Sequence, residues 1–146
     1  MAGAFGFGVA IIVADTVLGF PADINVTRPA AILFYPAIGF IAEVVFHLVP
    51  LSAVVAVTRR VDHARSVWTP IVLVASVETL FQVLAGAGGR HQPWLSIYLA
   101  AHMFGFGALQ MTLLRRHGFG SAMLMRLAYY VIWHLVWGHA RLAILF

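Results

Sequence analysis

The chain has 146 residues, of which 62% are hydrophobic and only 10% charged, and its mean hydropathy is strongly positive. So little polar coverage excludes a dispersed soluble domain and places the chain in the membrane class. The net charge of +4 comes with nine arginines and no lysine. These cluster in short loops, so they read as topology determinants and exclude a nucleic-acid surface. The absence of cysteine excludes disulfides, thiolate metal sites and a cysteine nucleophile.

Five apolar runs follow in chain order. The first, roughly Ala4 to Phe20, is at the short end of what spans a bilayer and contains Asp15. It has neither a basic leader nor a small-residue cleavage site, so it reads as a first spanning helix. Asp15 is expected to be an interfacial residue near a helix end. A polar turn, PADINVTRP, carries Arg28 between two proline stops. The second run, Ala30 to Val57, exceeds the needed length, so tilt or a kink at Pro36 or Pro50 is expected. The stretch TRRVDHARS follows, with Arg59, Arg60, His63 and Arg65. The third run, about Val67 to Ala85, holds Glu78 and Gln82 and ends in a loop with Arg90 and His91. The fourth, about Trp94 to Leu114, contains His102 and is closed by Arg115, Arg116 and His117. The fifth, Phe119 to about Ala140, carries Arg126, Tyr130 and His134, with Arg141 near its end.

The fold expected is therefore all-α, one polytopic transmembrane helix bundle of about five helices spanning residues 1–146. The loops after the second and fourth runs hold Arg59, Arg60, Arg65, Arg115 and Arg116, against Arg28 and Arg90 on the other side. The bias places the N-terminus inside and the C-terminus outside.

The sequence is organised around FYPAIGFIAEVVFHLVP, residues 34–50. Glu43 and His47 lie four residues apart, on one face of a helix one turn apart. An ionisable side chain at such depth costs about 2.5–3.5 kcal/mol on insertion scales, so it needs a partner and usually has a task. At about 1.5 Å of rise per residue, polar groups from four helices fall near mid-bilayer: Glu43 and His47, Glu78, His102, and Arg126 with His134. Arg126, Tyr130 and His134 repeat every four residues as one stripe, and Glu78 and Gln82 do the same. Both glutamates are expected to face the bundle interior, with Arg126 within reach of at least one. The bland alternative is that a glutamate pairs with Arg126 only to hold helices together. For His102, helix packing is as good a reading as catalysis. No HExxH, P-loop or G-x-S-x-G motif is present, and neither a metal nor a cofactor is expected.

The motifs AEVVFHL, ETLFQ and LLRRHGFGSAMLMRLAYYVIWH make the chain resemble the CPBP intramembrane proteases, also called Abi or type II CAAX prenyl endopeptidase-like proteins. That family carries E-E-x-x-x-R on one helix, F-x-x-x-H on the next and H-x-x-x-N or H-x-x-x-D on the last. Here Glu43 stands at the second glutamate, Ala42 at the first and His47 at the arginine. Glu78 stands at the aromatic residue and Gln82 at the histidine of the second motif. Arg126 and Tyr130 occupy the last pair, so Glu43 alone is kept unchanged. The resemblance covers about Ala30 to Ala140, and the family core usually follows more helices than one, which implies a chain short at its N-terminus.

It also implies an integral protein of the bacterial plasma membrane, in contact with lipid and acting on membrane-associated peptides, prenylated ones included. Glu43 would be general base on a water, aided by His47 or His134, and Arg126 and Tyr130 would donate to the oxyanion. The site set is then Glu43, His47, Glu78, Gln82, Arg126, Tyr130 and His134. Two other readings compete. One is a catalytically inactive relative that binds a membrane partner. The other is a b-type haem carrier using two of His47, His102 and His134. A proton-coupled transporter is disfavoured, because no inverted repeat is visible.

Overall fold

A computed structural model of the chain describes residues 2–58, 68–86 and 93–146, and among these all regular structure is helical. Helix α1 (Ala2–Leu18) comes first, then a 3-10 turn (Ala22–Ile24) and α2 (Ala31–Glu43). A π-helical turn (Val44–Leu48) joins α2 to α3 (Val49–Thr58) without a break. Next come α4 (Trp68–Gly86), α5 (Pro93–His117) and α6 (Phe119–Tyr130). A second π-helical stretch (Val131–Trp137) continues α6 into α7 (Gly138–Ile144). These make five helical rods, as the five apolar runs foretold.

Four of the rods are long and apolar enough to cross a membrane: Ala31–Val57, Trp68–Ala85, Pro93–His117 and Phe119–Ile144. The chain is a helical membrane protein. Helix α1 is equally apolar but has only 17 residues. Its exposed stripe of Phe5, Val9, Val13 and Val17 repeats every fourth residue, as a lipid-facing surface does. Arg59, Arg60, His63, Arg65, Arg90 and His91 lie outside the described residues.

The helix ends have local causes. Gly19 (φ +68°) and Gly118 (φ +82°) adopt the left-handed conformation that closes a helix, and their N–H groups bond to Asp15 O and Leu114 O, each at 3.0 Å. Gly118 is all that separates α5 from α6. Arg115, Arg116 and His117 therefore form the last turn of α5 instead of a loop, where their charges suit the carboxyl end of the helix dipole. The π turn at Val44–Leu48 runs directly into Pro50, which has no N–H to give Phe46 O and whose ring crowds that carbonyl. The Val49 N–H bonds instead to Val44 O, five residues back.

The chain divides into two compact units. One comprises residues 1–41 and 123–146, the other 42–122. In the second, Ile71, Val74, Met111, Leu114 and Ala122 form an apolar core between α4, α5 and the first turn of α6. In the first, α1 lies against the second π stretch so closely that Gly8 has no room for a side chain. A Cβ there would come within 2.6 Å of Ile132 Cγ2. Gly8→Ala is expected to lower stability by about 1–3 kcal/mol through overpacking. Thermal melting of the purified variant checks this, and an unchanged midpoint would show that α1 can back away freely.

Candidate functional site

In the second unit, the α2–α3 rod brings Glu43 and His47 to one face. The α4 stripe Ile71, Val74, Ala75 and Glu78 is buried at helical spacing. His47 stands between two carboxylates, with Nδ1 3.3 Å from Glu43 Oε2 and Nε2 3.5 Å from Glu78 Oε2. All three side chains are at most 1% exposed. An amide from α5 completes the group. Gln110 Nε2 donates to Glu43 Oε2 at 2.8 Å and to Ala122 O at 3.3 Å. The imidazole has room because Gly107 faces it: a Cβ there would sit 3.6 Å from His47 Nε2 and 3.4 Å from Ala75 Cα.

This is a carboxylate–imidazole–carboxylate line with one carboxylate oxygen fixed by an amide. An imidazole flanked by a carboxylate at each edge can accept a proton at one nitrogen and release one at the other. The contacts of 3.3 and 3.5 Å are longer than tight hydrogen bonds. Among the described residues, no group of three His, Cys, Asp or Glu side chains is placed to hold a metal ion.

The stripe on the last rod belongs to the first unit, and it is intact. Arg126, fully buried, donates from Nη1 to Tyr130 Oη at 3.3 Å, and the Tyr130 ring meets His134 edge-on at 5.1 Å between centroids. His134 stacks on Tyr35 at 4.2 Å and 12°. Its Nδ1 lies 2.6 Å from Asn25 Oδ1, and because an amide oxygen only accepts, that nitrogen carries the hydrogen. Tyr35 Oη in turn accepts the Val26 N–H at 2.8 Å, so the loop before α2 is fastened to the stripe. Gly39 admits Tyr130, whose ring carbons would lie 3.2 and 3.5 Å from a Cβ at that position.

Gln82 does not join either group. It is exposed among Leu80, Phe81 and Leu84 on the outer face of α4, whereas Glu78 is buried. A four-residue step turns a helix about 40° past a full circle, and Gln82 lies in the last turn of α4, where the packed stripe has ended. His102 is buried and hydrogen-bonded to the Tyr98 hydroxyl at 3.1 Å within α5.

Three features were missed in the sequence. Gln110 left one signal, a lone amide inside an apolar helix. Asn25 looked like ordinary turn chemistry. The third is how Asp15, near the end of α1 as expected, is held: it is fully buried and bound on both oxygens. Arg141 Nε donates to Oδ2 at 2.7 Å and Nη2 to Oδ1 at 2.8 Å. Trp137 Nε1 (2.7 Å) and the Phe20 N–H (3.0 Å) add two more donors. Arg141 gives two further donors to Pro21 O and Phe20 O. Every strong partner is satisfied, so this cluster is a clamp between the two ends of the chain.

The rods thus define a polytopic helical membrane protein, with a buried carboxylate–imidazole cluster in its second unit. Set against family models, curated proteins and solved structures, the chain matches none of them.

Proposed function

We propose that the protein is a glutamate-dependent intramembrane endopeptidase related to the CPBP proteases, acting on membrane-associated peptides. The observation that carries this reading is His47 held between Glu43 and Glu78 in a site closed to solvent. Glu43, positioned by Gln110, takes a proton from a water whose oxygen attacks the scissile carbonyl. His47 carries a proton to the departing amine, and Glu78 holds the imidazole from its far edge. A general base and acid so placed contribute about 10²–10⁴-fold each. The peptide class comes from the resemblance, as does a bacterial plasma membrane.

The test is hydrolysis by the reconstituted chain. Membrane-embedded peptides incubated in ¹⁸O-water should yield fragments with one labelled oxygen at the new carboxyl end. Intact peptides across the candidate set would leave the second reading ahead, an inactive relative that binds a membrane partner. That reading draws on the complete burial of Glu43 and His47, which are both 0% exposed.

The arginine bias supports an orientation with the N-terminus in the cytoplasm and the C-terminus outside. Reporter fusions at Arg116 and at the C-terminus are expected to report cytoplasmic and external locations, respectively. A cytoplasmic C-terminus would mean that α1 does not span.

A further inference from the structure

The first unit holds a small cavity that peptide hydrolysis does not use. It lies between the loop before α2 and the last rod, with Arg28, Ala31, His134, Leu135, Gly138 and Leu142 on its wall. Its volume is about 10 Å³, room for one water-sized group. Two polar groups beside it have bonding capacity left. His134 gives its Nδ1 hydrogen to Asn25 Oδ1, so the other ring nitrogen, Nε2, is an acceptor, and no described residue donates to it. Asn25 is only 9% exposed, and its Nδ2 finds no acceptor among the described residues. That amide lies against Gly138, whose Cβ position would be 3.0 Å from Nδ2. A hydroxyl answers both needs, because it donates to one atom and accepts from the other. A phosphate or carboxylate oxygen could do only the second.

Arg28 supplies the charge. Its side chain is exposed, and Nη2 donates to Leu135 O at 3.2 Å, which leaves other N–H groups of the guanidinium for a phosphate. The two features stand at different levels. A helical carbonyl points towards the carboxyl end of its rod, whereas side chains tilt towards the amino end. The guanidinium on Leu135 O is therefore nearer the end of the rod than the His134 ring, by about one turn or 5 Å. The rod has 26 residues, about 39 Å, against a hydrocarbon core of about 30 Å, so its end stands among the lipid headgroups. A ligand that fits carries its phosphate towards the surface and its hydroxyl on the acyl side. Headgroup hydroxyls lie on the wrong side of the phosphate, and in a diacyl phospholipid the backbone position is esterified. A monoacyl phospholipid has a free hydroxyl there.

We infer that this cavity binds a lysophospholipid. Arg28 holds the phosphodiester, the backbone hydroxyl sits between His134 Nε2 and Asn25 Nδ2, and the acyl chain leaves along Leu135 and Leu142. The proposal does not rest on the hydrolytic reading, which uses Glu43, His47, Glu78 and Gln110.

Native mass spectrometry of the full chain, released from phosphatidylcholine nanodiscs, tests it. The discs carry either lysophosphatidylcholine or its 2-deoxy analogue, which lacks only the hydroxyl. Wild type is expected to retain one lysophosphatidylcholine in a saturable manner, about fivefold more tightly than the analogue. Arg28→Gln should weaken retention of both lipids by about fivefold and keep their ratio. His134→Phe, which preserves a ring on Tyr35, should remove the ratio and leave retention of the analogue as in wild type. The wild-type ratio needs no variant, so poor folding of His134→Phe leaves the test intact. Equal retention of the two lipids by wild type would overturn the proposal, as would a ratio that survives in His134→Phe. Full displacement by glycerophosphocholine, which has the same diester and hydroxyl but no chain, would overturn the lipid assignment in favour of a soluble diester.

Discussion

Replacing Arg141 with methionine is expected to destabilise the protein by about 3–5 kcal/mol. Asp15 is fully buried, and two of its four donors come from the guanidinium. Methionine keeps much of the side-chain volume and removes the charge, so an uncompensated carboxylate is left in apolar surroundings. Phe20 O and Pro21 O lose their donors in the same step. Adding Asp15→Leu to Arg141→Met should then recover much of the loss, because a well-packed apolar pair often replaces a buried ion pair without penalty. Equilibrium unfolding of the single and double variants in one detergent gives the answer. A loss under about 1 kcal/mol for Arg141→Met would mean that the clamp does not hold the chain ends.

The second large effect is on chemistry. His47→Leu is expected to lower peptide cleavage by about 10²–10⁴-fold, since the imidazole stands between the two carboxylates, 3.3 Å from one and 3.5 Å from the other. Leucine fills much of the space but leaves Glu43 and Glu78 facing each other without a proton carrier between them. The double variant His47→Leu, Glu78→Gln removes one carboxylate and should regain stability while staying inactive. Cleavage rates and melting midpoints of the three proteins check this. Recovery of cleavage together with stability would show that His47 acts only as structural packing.

Much of this architecture was legible in the sequence, because the forces that set it are local. A bilayer demands apolar runs of fixed length, so the five rods and most of their ends could be read directly. The four-residue steps joining Glu43 to His47, and Arg126 to Tyr130 and His134, survive in the structure even though each rod contains a π-helical stretch. Burial of Glu43, Glu78 and Arg126 follows from the cost of charge in lipid. What could not be read was long-range. Asp15 and Arg141 are 126 residues apart, and neither periodicity nor local composition links them. Asp15 near a helix end resembles an ordinary interfacial carboxylate until its partners are known. Gln110 is one amide among apolar neighbours, and only the packing of α5 aims it at Glu43. Gln82 misled for the opposite reason. Its spacing from Glu78 was right for one helical face, but the packed part of α4 ends before it.

The central claim, that the Glu43–His47–Glu78 line performs chemistry, is tested most directly by Glu43→Gln. Cleavage of a membrane-embedded peptide and the melting midpoint should be measured on the same preparations of wild type and variant. The account predicts that cleavage is abolished while the midpoint stays within a few degrees or rises, since sites built for catalysis are seldom optimal for stability. Unchanged cleavage by Glu43→Gln would contradict it.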